Sequence, residues 1–460
     1  MLRQRWIGWG LAGAGLLATL ELLRRRRARR RAARRCRHPA VLAQVEAVRA
    51  RYGLSCRGFL SEGEGELPQE LRLWEALVEE LPKLNRSGGL RAAVRALPEV
   101  DLPVLQSLGK KGLQRAFLLL GAVAHSFLHN HDVPWHELEV GGVKGERGPC
   151  GPLPKQVAEP WLEVCARLGL PPVLTAAATD LWNWRLRDPL GPFVPGNLEQ
   201  RISLTGTATE RAFHMVPCAM HAAAGEVVPK LFLADLLVRE GAEAELAALL
   251  RELADMLRDF RQLFRQIPGS VDPAVFYNIY RPLLNGFHPE GVRLEAGPAA
   301  REKALAHVAC VVPAADGRDG VGLLNTSKGP SAGQSTIFFL LDSFLAIPHT
   351  DAGVAFQEEM LVYMPREHRE MVLDFRRRLQ EVGPLPDFIR GQGSKSRGGG
   401  AADLESAYAE CVEGLRGLRR LHLSTVTSYL VRTSTGTGAT PWRSLLQSML
   451  GATSRRISQR

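Results

Sequence analysis

Seven cysteines occur in 460 residues, and no two of them form a C-x-x-C pair. Cys36, Cys56, Cys150, Cys165, Cys218, Cys310 and Cys411 are scattered and odd in number. That excludes a zinc ribbon and a disulfide framework, and it suits a reducing compartment. Strand-like alternation is scarce and no repeat at a solenoid period is present, so sandwiches, barrels and helical arrays are disfavoured. No glutamate follows His125, so His125, His129 and His131 do not build H-E-x-x-H and read as a helix end with solvated histidines. A nucleotide P-loop is missing too, because Gly329 and Gly333 enclose three residues and are followed by Gln334 rather than lysine. What survives these exclusions is an all-α, two-domain chain.

Acids are absent from one stretch, Arg24 to Arg37, which carries ten arginines and accounts for nearly the whole formal charge of +11. The remaining body is close to neutral, and nucleic-acid binding by it is not expected. A long apolar run occurs at Trp6 to Leu23, interrupted by Thr19 and Glu21. Followed at once by the arginines, it reads as an N-terminal anchor with the body on the cytosolic side, or as a cleaved organelle-targeting leader; membrane contact would run through residues 6–37. Residues 1–38 are thus set apart, 39–170 read as a small helical domain and 171–460 as a larger one. Within them Leu71 to Leu77 and Leu113 to Leu128 show helical spacing, with breaks at Asn85 to Gly89 and Gly141 to Pro154. Val227 to Ile267 reads as a helical hairpin and Gly391 to Gly400 as a flexible loop.

From Ala402 to Val431 the residues Leu404, Tyr408, Cys411, Leu415, Leu418, Thr425 and Tyr429 recur at alternating spacings of four and three, one buried stripe of a long helix. His422 falls on that stripe. An imidazole there either satisfies a buried polar neighbour or ligates a metal or haem iron carried between helices. Upstream, Asp272-Pro273 forms an N-cap and first-turn proline, so a helix begins there and carries Phe276, Tyr277 and Arg281 on neighbouring faces. Pro282 disfavours helical geometry at Arg281 itself. Ser335 or Thr336 caps an apolar helix from Ile337 to Ile347, preceded by the small residues Ser331, Ala332 and Gly333.

Four segments in order, residues 272–286, Gly329-Pro330-Ser331-Ala332-Gly333-Gln334-Ser335, Tyr363-Met364-Pro365-Arg366-Glu367-His368-Arg369 and Gly436-Thr437-Gly438-Ala439-Thr440, with His422 between the last two, closely resemble the indoleamine 2,3-dioxygenase family. Leu170-Pro171-Pro172-Val173-Leu174, Asn183-Trp184 and Asp188-Pro189 extend the likeness, so that it covers about residues 70 to 455. The resemblance implies haem b, its iron held by His422 as the proximal ligand. It implies insertion of both atoms of O2 across the indole 2,3-bond of tryptophan to give N-formylkynurenine, with an unidentified electron donor keeping the iron ferrous. It further assigns Arg281 to the substrate carboxylate, Phe213, Phe276 and Tyr277 to the indole, and Thr437 to a loop closing over substrate. Phe276 and Arg281 thereby become the catalytic pair. Ser331, Ala332, Gly333, Phe338, Asp342 and Arg419 go to the haem pocket, where Asp342 and Arg419 either orient the imidazole or make a plain salt bridge between helices.

The chain departs from the family on the distal side. Pro217 stands where many members have serine, His214 replaces an aromatic, and Ala176 and Thr179 replace bulkier or sulfur-bearing residues, which implies a roomier or differently shaped indole site. Besides the dioxygenase, two other classes stay open: a haem protein of the same fold that binds or senses O2 without efficient turnover, and a purely structural helical protein.

Overall fold

The structure, a computed structural model, describes residues 39–63, 65–130, 135, 151–287, 292–307, 311–313, 321–324, 328–395, 399–430, 435–436 and 441–458. The apolar and arginine-rich leader, His131 and Thr437 lie outside the described residues. Helices dominate, as the missing alternation requires. The described strands are short: Arg185–Leu186 pairs antiparallel with Leu198–Glu199, and Val321–Leu324 lies between Arg293–Glu295 and Val311–Pro313, antiparallel to both. Among the described residues no helix is long and apolar enough to cross a membrane.

Two long helices make the frame. Gly399–Tyr429 contains His422, and its stripe is sealed at Leu404, Tyr408, Cys411, Leu415 and Leu418, as the spacing predicts. Against it packs Glu243–Phe264, with Leu246, Leu250, Leu253, Leu257 and Phe260 buried at the same four-and-three rhythm. Glycines let these helices approach: a Cβ on Gly414 would come within 3.2 Å of Leu257, and one on Gly417 within 2.9 Å of the Arg261 guanidinium. Cys411 Sγ donates to the Leu250 carbonyl at 2.8 Å across the same interface.

The helical stretch expected over 227–267 is divided unevenly. Gly241 takes φ +65° and ends a short helix, Ala234–Glu240, which packs on the long helix Glu243–Phe264, and the long helix lies mainly against the His422 helix. The loop expected at Gly391 to Gly400 is also corrected: helix Leu385–Lys395 runs through Gly391, and the next helix starts at Gly399.

Lys110–His129 is buried almost all round and forms the centre of the N-terminal part. Its His125 is not solvated. The imidazole is fully buried, Nδ1 donates to the Leu283 carbonyl at 3.1 Å, and Nε2 accepts from the Leu174 amide at 2.8 Å. Burial holds it neutral, with its pKa pushed down to about 4. It is a core histidine that ties three segments together. No group of histidine, cysteine and carboxylate suited to a metal ion occurs among the described residues.

Candidate functional site

A cavity of about 320 Å³, lined mostly by apolar side chains, opens beside the C-terminal half of the His422 helix. Phe260, Phe264, Leu418, Val426, Leu446 and Met449 form much of one wall. The structure brings Phe213, Phe276, Arg281, Ser331, Ala332, Gly333, Phe338, Asp342, Arg419 and His422 to this single space, although they span more than 200 residues of sequence.

The proximal wall is regular helix. The His422 imidazole meets the Phe264 ring edge-on at 5.5 Å and has no hydrogen-bond partner among the described residues, so its nitrogens are free to ligate. Burial first, and the Arg419 charge second, push its pKa down to about 4, so it is the neutral, metal-binding form at neutral pH. Arg419, one turn back, donates through Nη2 to both Asp342 oxygens at 2.6 and 2.8 Å. Its Nη1 reaches Thr453 Oγ1 and the Met449 carbonyl. Neither Asp342 nor Arg419 hydrogen-bonds His422; they form a buried ion pair behind it that acts on the imidazole through charge.

That pair has companions the sequence did not reveal. His349 Nε2 lies 2.8 Å from Asp342 Oδ2, and Gln357 Nε2 donates to the same oxygen at 3.0 Å. Against the opposing cost of burial, Arg419 first and His349 after it hold the Asp342 carboxyl below its ordinary range. The geometry comes from the end of helix Thr336–Phe344. Ala346 takes φ +48°, the Ile347 amide returns to the Asp342 carbonyl at 2.9 Å, and the chain turns so that His349 comes back over the carboxylate. This helix starts at Thr336 with Ser335 as its N-cap position, but no side chain caps it.

The loop before it is held by Gln334. Its Oε1 accepts from the Ala176 amide at 2.8 Å and its Nε2 donates to the Gly329 carbonyl at 3.0 Å. Gly333 lines the cavity, but its missing side chain serves the protein itself, since a Cβ would fall 2.5 Å from the Phe356 ring.

Across the cavity the backbone is irregular. Ala177–Trp182 and Phe276–Tyr280 are both π-helical turns. Such turns insert one extra residue and re-aim side chains. The second begins from the expected cap, Asp272 Oδ1 accepting from the Ala274 and Val275 amides at 2.8 and 2.9 Å. It also answers the difficulty posed by Pro282: the helical path continues through Arg281, at φ −53° and ψ −40°, because the wider turn accommodates a ring that has no N–H. Arg281 donates through Nη2 to the Thr435 carbonyl at 2.7 Å, while its buried Nε has no partner. Burial lowers its pKa. A guanidinium that meets no carboxylate among the described residues is arranged to receive an anion. Tyr277 is a correction: it does not line the cavity, because one step along a helical turn rotates it away from Phe276, and its ring lies under the Arg281 guanidinium, 5.8 Å from it.

Phe213 and His214 ride on helix Ala208–Ala224, anchored where Thr207 Oγ1 accepts from the Glu210 amide at 3.2 Å. The buried Glu210 carboxylate accepts from the Leu204 and Thr205 amides, each at 2.7 Å. The Phe213 and Phe276 rings lie 4.8 Å apart. Pro217, within the same helix, lines the cavity without a hydroxyl. His214 Nδ1 lies 2.5 Å from Asp180 Oδ1, and Nε2 contacts the Tyr280 hydroxyl. Asp180 and Tyr280 escaped the sequence reading, and the signal for the first was the single charged residue in the stretch from Pro171 to Trp182.

The residues present fit a flat apolar cofactor that takes one imidazole: His422, neutral and without a hydrogen-bond partner among the described residues, faces a cavity walled by Phe264, Phe338 and aliphatic groups. The sequence profile described as "Indoleamine 2,3-dioxygenase" matches residues 49–456. The chain is 30% identical over 381 residues to indoleamine 2,3-dioxygenase 1 of Rattus norvegicus, covering 80% of this chain and 81% of that one. It is 30% identical over 380 residues to indoleamine 2,3-dioxygenase 2 of Mus musculus, covering 82% and 83%. It is 28% identical over 381 residues to a protein named myoglobin from Haliotis diversicolor, covering 82% and 87%.

Proposed function

The chain belongs to the indoleamine 2,3-dioxygenase family, and from that premise we propose that it is a haem-dependent dioxygenase converting tryptophan and O2 to N-formylkynurenine. The observation that carries this reading is the pairing, in one cavity, of the His422 imidazole and the Arg281 Nε, neither of which has a hydrogen-bond partner among the described residues. His422 would hold the iron of haem b. Haem iron, when bound, supplies the activation of O2 that a spin-paired indole lacks on its own. Arg281 would bind the amino-acid carboxylate through its planar fork, and Phe213 and Phe276 would wall the indole between apolar faces and exclude water. The Asp342–Arg419 pair would hold the electrostatic setting of the imidazole, with Ser331, Ala332, Gly333 and Phe338 bordering the ring. Thr437 would close the substrate side.

A reductant that keeps the iron ferrous is part of the proposal, as is the boundary between a small and a large helical part near residue 170. So is an N-terminal segment that anchors the chain on the cytosolic face of a membrane or directs it to an organelle. A second reading, an O2-binding haem protein with little turnover, is favoured by Pro217, by the polar residues Asp180 and His214, and by the similarity to the Haliotis protein named myoglobin. Haem reconstitution followed by an absorbance assay for N-formylkynurenine separates the two. A haem spectrum with product formation supports the dioxygenase, a haem spectrum with O2 binding and no product supports the carrier, and no haem uptake overturns both.

A further inference from the structure

The distal wall carries a connected set of polar side chains, Tyr280, His214 and Asp180, with Thr179 and His221 beside them. Tyr280 is 1% exposed and its hydroxyl is pushed well above its ordinary pKa by burial first and then by the Glu210 and Asp180 charges, so it keeps its proton. Its hydroxyl meets His214 Nε2, and His214 Nδ1 lies 2.5 Å from Asp180 Oδ1. The Thr179 hydroxyl adds a bond to the same oxygen at 3.0 Å. This run of contacts ends on one carboxylate. Its other oxygen, Oδ2, accepts nothing among the described residues, and Asp180 lines the cavity.

We propose that Asp180, held by His214 and Tyr280, is a specificity-determining acceptor for a hydrogen-bond donor carried on the ring of the substrate, so that the preferred ligand is an indole amino acid bearing a hydroxyl or amine on its benzo ring. The proposal rests on the tryptophan-class reading and deepens it. Stability alone does not call for these groups, because well-packed apolar side chains of similar volume commonly replace buried polar sets without loss. A bare benzo ring pressed against Oδ2 strips water from a carboxylate and returns no hydrogen bond, whereas a ring O–H or N–H restores it.

The amino-acid head is the other group that could seek a carboxylate, and the geometry disfavours it. Asp180 makes no ion pair with Arg281, whose remaining bond goes to Thr435 on the exposed side. Carboxylate and ammonium share one carbon, so the ammonium stays near Arg281. The aromatic pair runs the other way: the Phe213 ring is 4.8 Å from Phe276 and 5.1 Å from His214, so an indole laid along it reaches towards the triad.

The test uses the haem-loaded full chain with L-tryptophan, the benzo-ring hydroxytryptophans and indole-3-propionate. Affinity is read from the perturbation of the haem absorption band without O2, and turnover from kcat/KM. One hydroxytryptophan isomer should bind and react better than tryptophan by about tenfold to a hundredfold, the range for a hydrogen bond to a charged group. Asp180→Val should erase that preference, and Asp180→Asn, which keeps the shape and one acceptor, should retain part of it. The series on the unmodified protein needs no folded variant. Equal affinity for tryptophan and every isomer, or a preference that survives Asp180→Val, overturns the proposal. So does a loss that falls equally on tryptophan and hydroxytryptophan while sparing indole-3-propionate, which assigns Asp180 to the ammonium. A normal haem spectrum with no response to any of these ligands overturns the tryptophan-class reading itself, and the proposal falls with it.

Discussion

The two walls of the cavity are built on opposite plans. The proximal wall is a regular helix of 31 residues, its ligand candidate set by plain periodicity and backed by a closed ion-pair network. The distal wall is assembled from two π-helical turns and a proline-containing helix, and its polar groups are joined over 34 and 66 residues of sequence. The contrast teaches that holding a cofactor asks for one fixed direction, which periodic structure supplies, whereas shaping a substrate site asks for directions that periodic structure cannot supply.

The largest expected effect tests the proximal side. His422→Ala should abolish tight haem binding and with it activity, while circular dichroism retains most of the helical signal. A normal haem spectrum in that variant would move the ligand elsewhere. Acid should come next. The imidazoles of His125, His221 and His422 titrate near pH 4 in the folded chain and that of His368 near 3, all driven down first by burial. An unfolded histidine titrates near 6.5. Between those values the unfolded chain binds more protons, so stability is fully present above about pH 6.5 and falls as pH drops towards 4. Denaturation midpoints that stay flat over this window would contradict the burial of those rings.

Breaking the proximal network should cost less but still be large. Arg419→Met leaves the Asp342 carboxylate buried without its main counter-charge, and about 3–5 kcal/mol of stability should be lost, measured by chemical denaturation. On the distal side, Arg281→Ala should weaken tryptophan affinity by about 2–5 kcal/mol without altering the haem spectrum; an unchanged KM would remove Arg281 from the site. The smallest change, Gln334→Ala, orphans the Ala176 amide and the Gly329 carbonyl and should cost about 1–3 kcal/mol. Because Gln334 joins the loop to the distal turn, substrate affinity should fall more than haem affinity, and the reverse order would break the division between the walls.

Legibility followed the same division. The stripe from Leu404 to Leu418 and the cap at Asp272 could be read because each depends on neighbours within one or two turns. Gly241 ends its helix through a left-handed backbone, and the apolar spacing over 227–267 did not mark that break because it carries no record of φ. His125 was read as solvated since its partners, Leu174 and Leu283, are distant in sequence. His349 and Gln357 were invisible for a like reason: only the turn at Ala346 carries His349 over Asp342. Tyr277 was assigned to the indole by the family resemblance, and here its ring lies against the Arg281 guanidinium outside the cavity lining.

The turn at Phe276–Tyr280 works as a register absorber. Each α-helical residue rotates its side chain by about 100° relative to the last, but the wider turn takes up one extra residue without passing that rotation on to the residues beyond it. Deleting a single residue there would close the turn to ordinary α pitch and leave Arg281 facing much as it does now. The same deletion in the regular helix Gly399–Tyr429 ahead of His422 has nothing to absorb it and would turn the imidazole away from the cavity. Length is therefore under tighter constraint on the proximal side than on the distal one: a one-residue deletion within 277–279 should be tolerated where one between Leu418 and His422 would not.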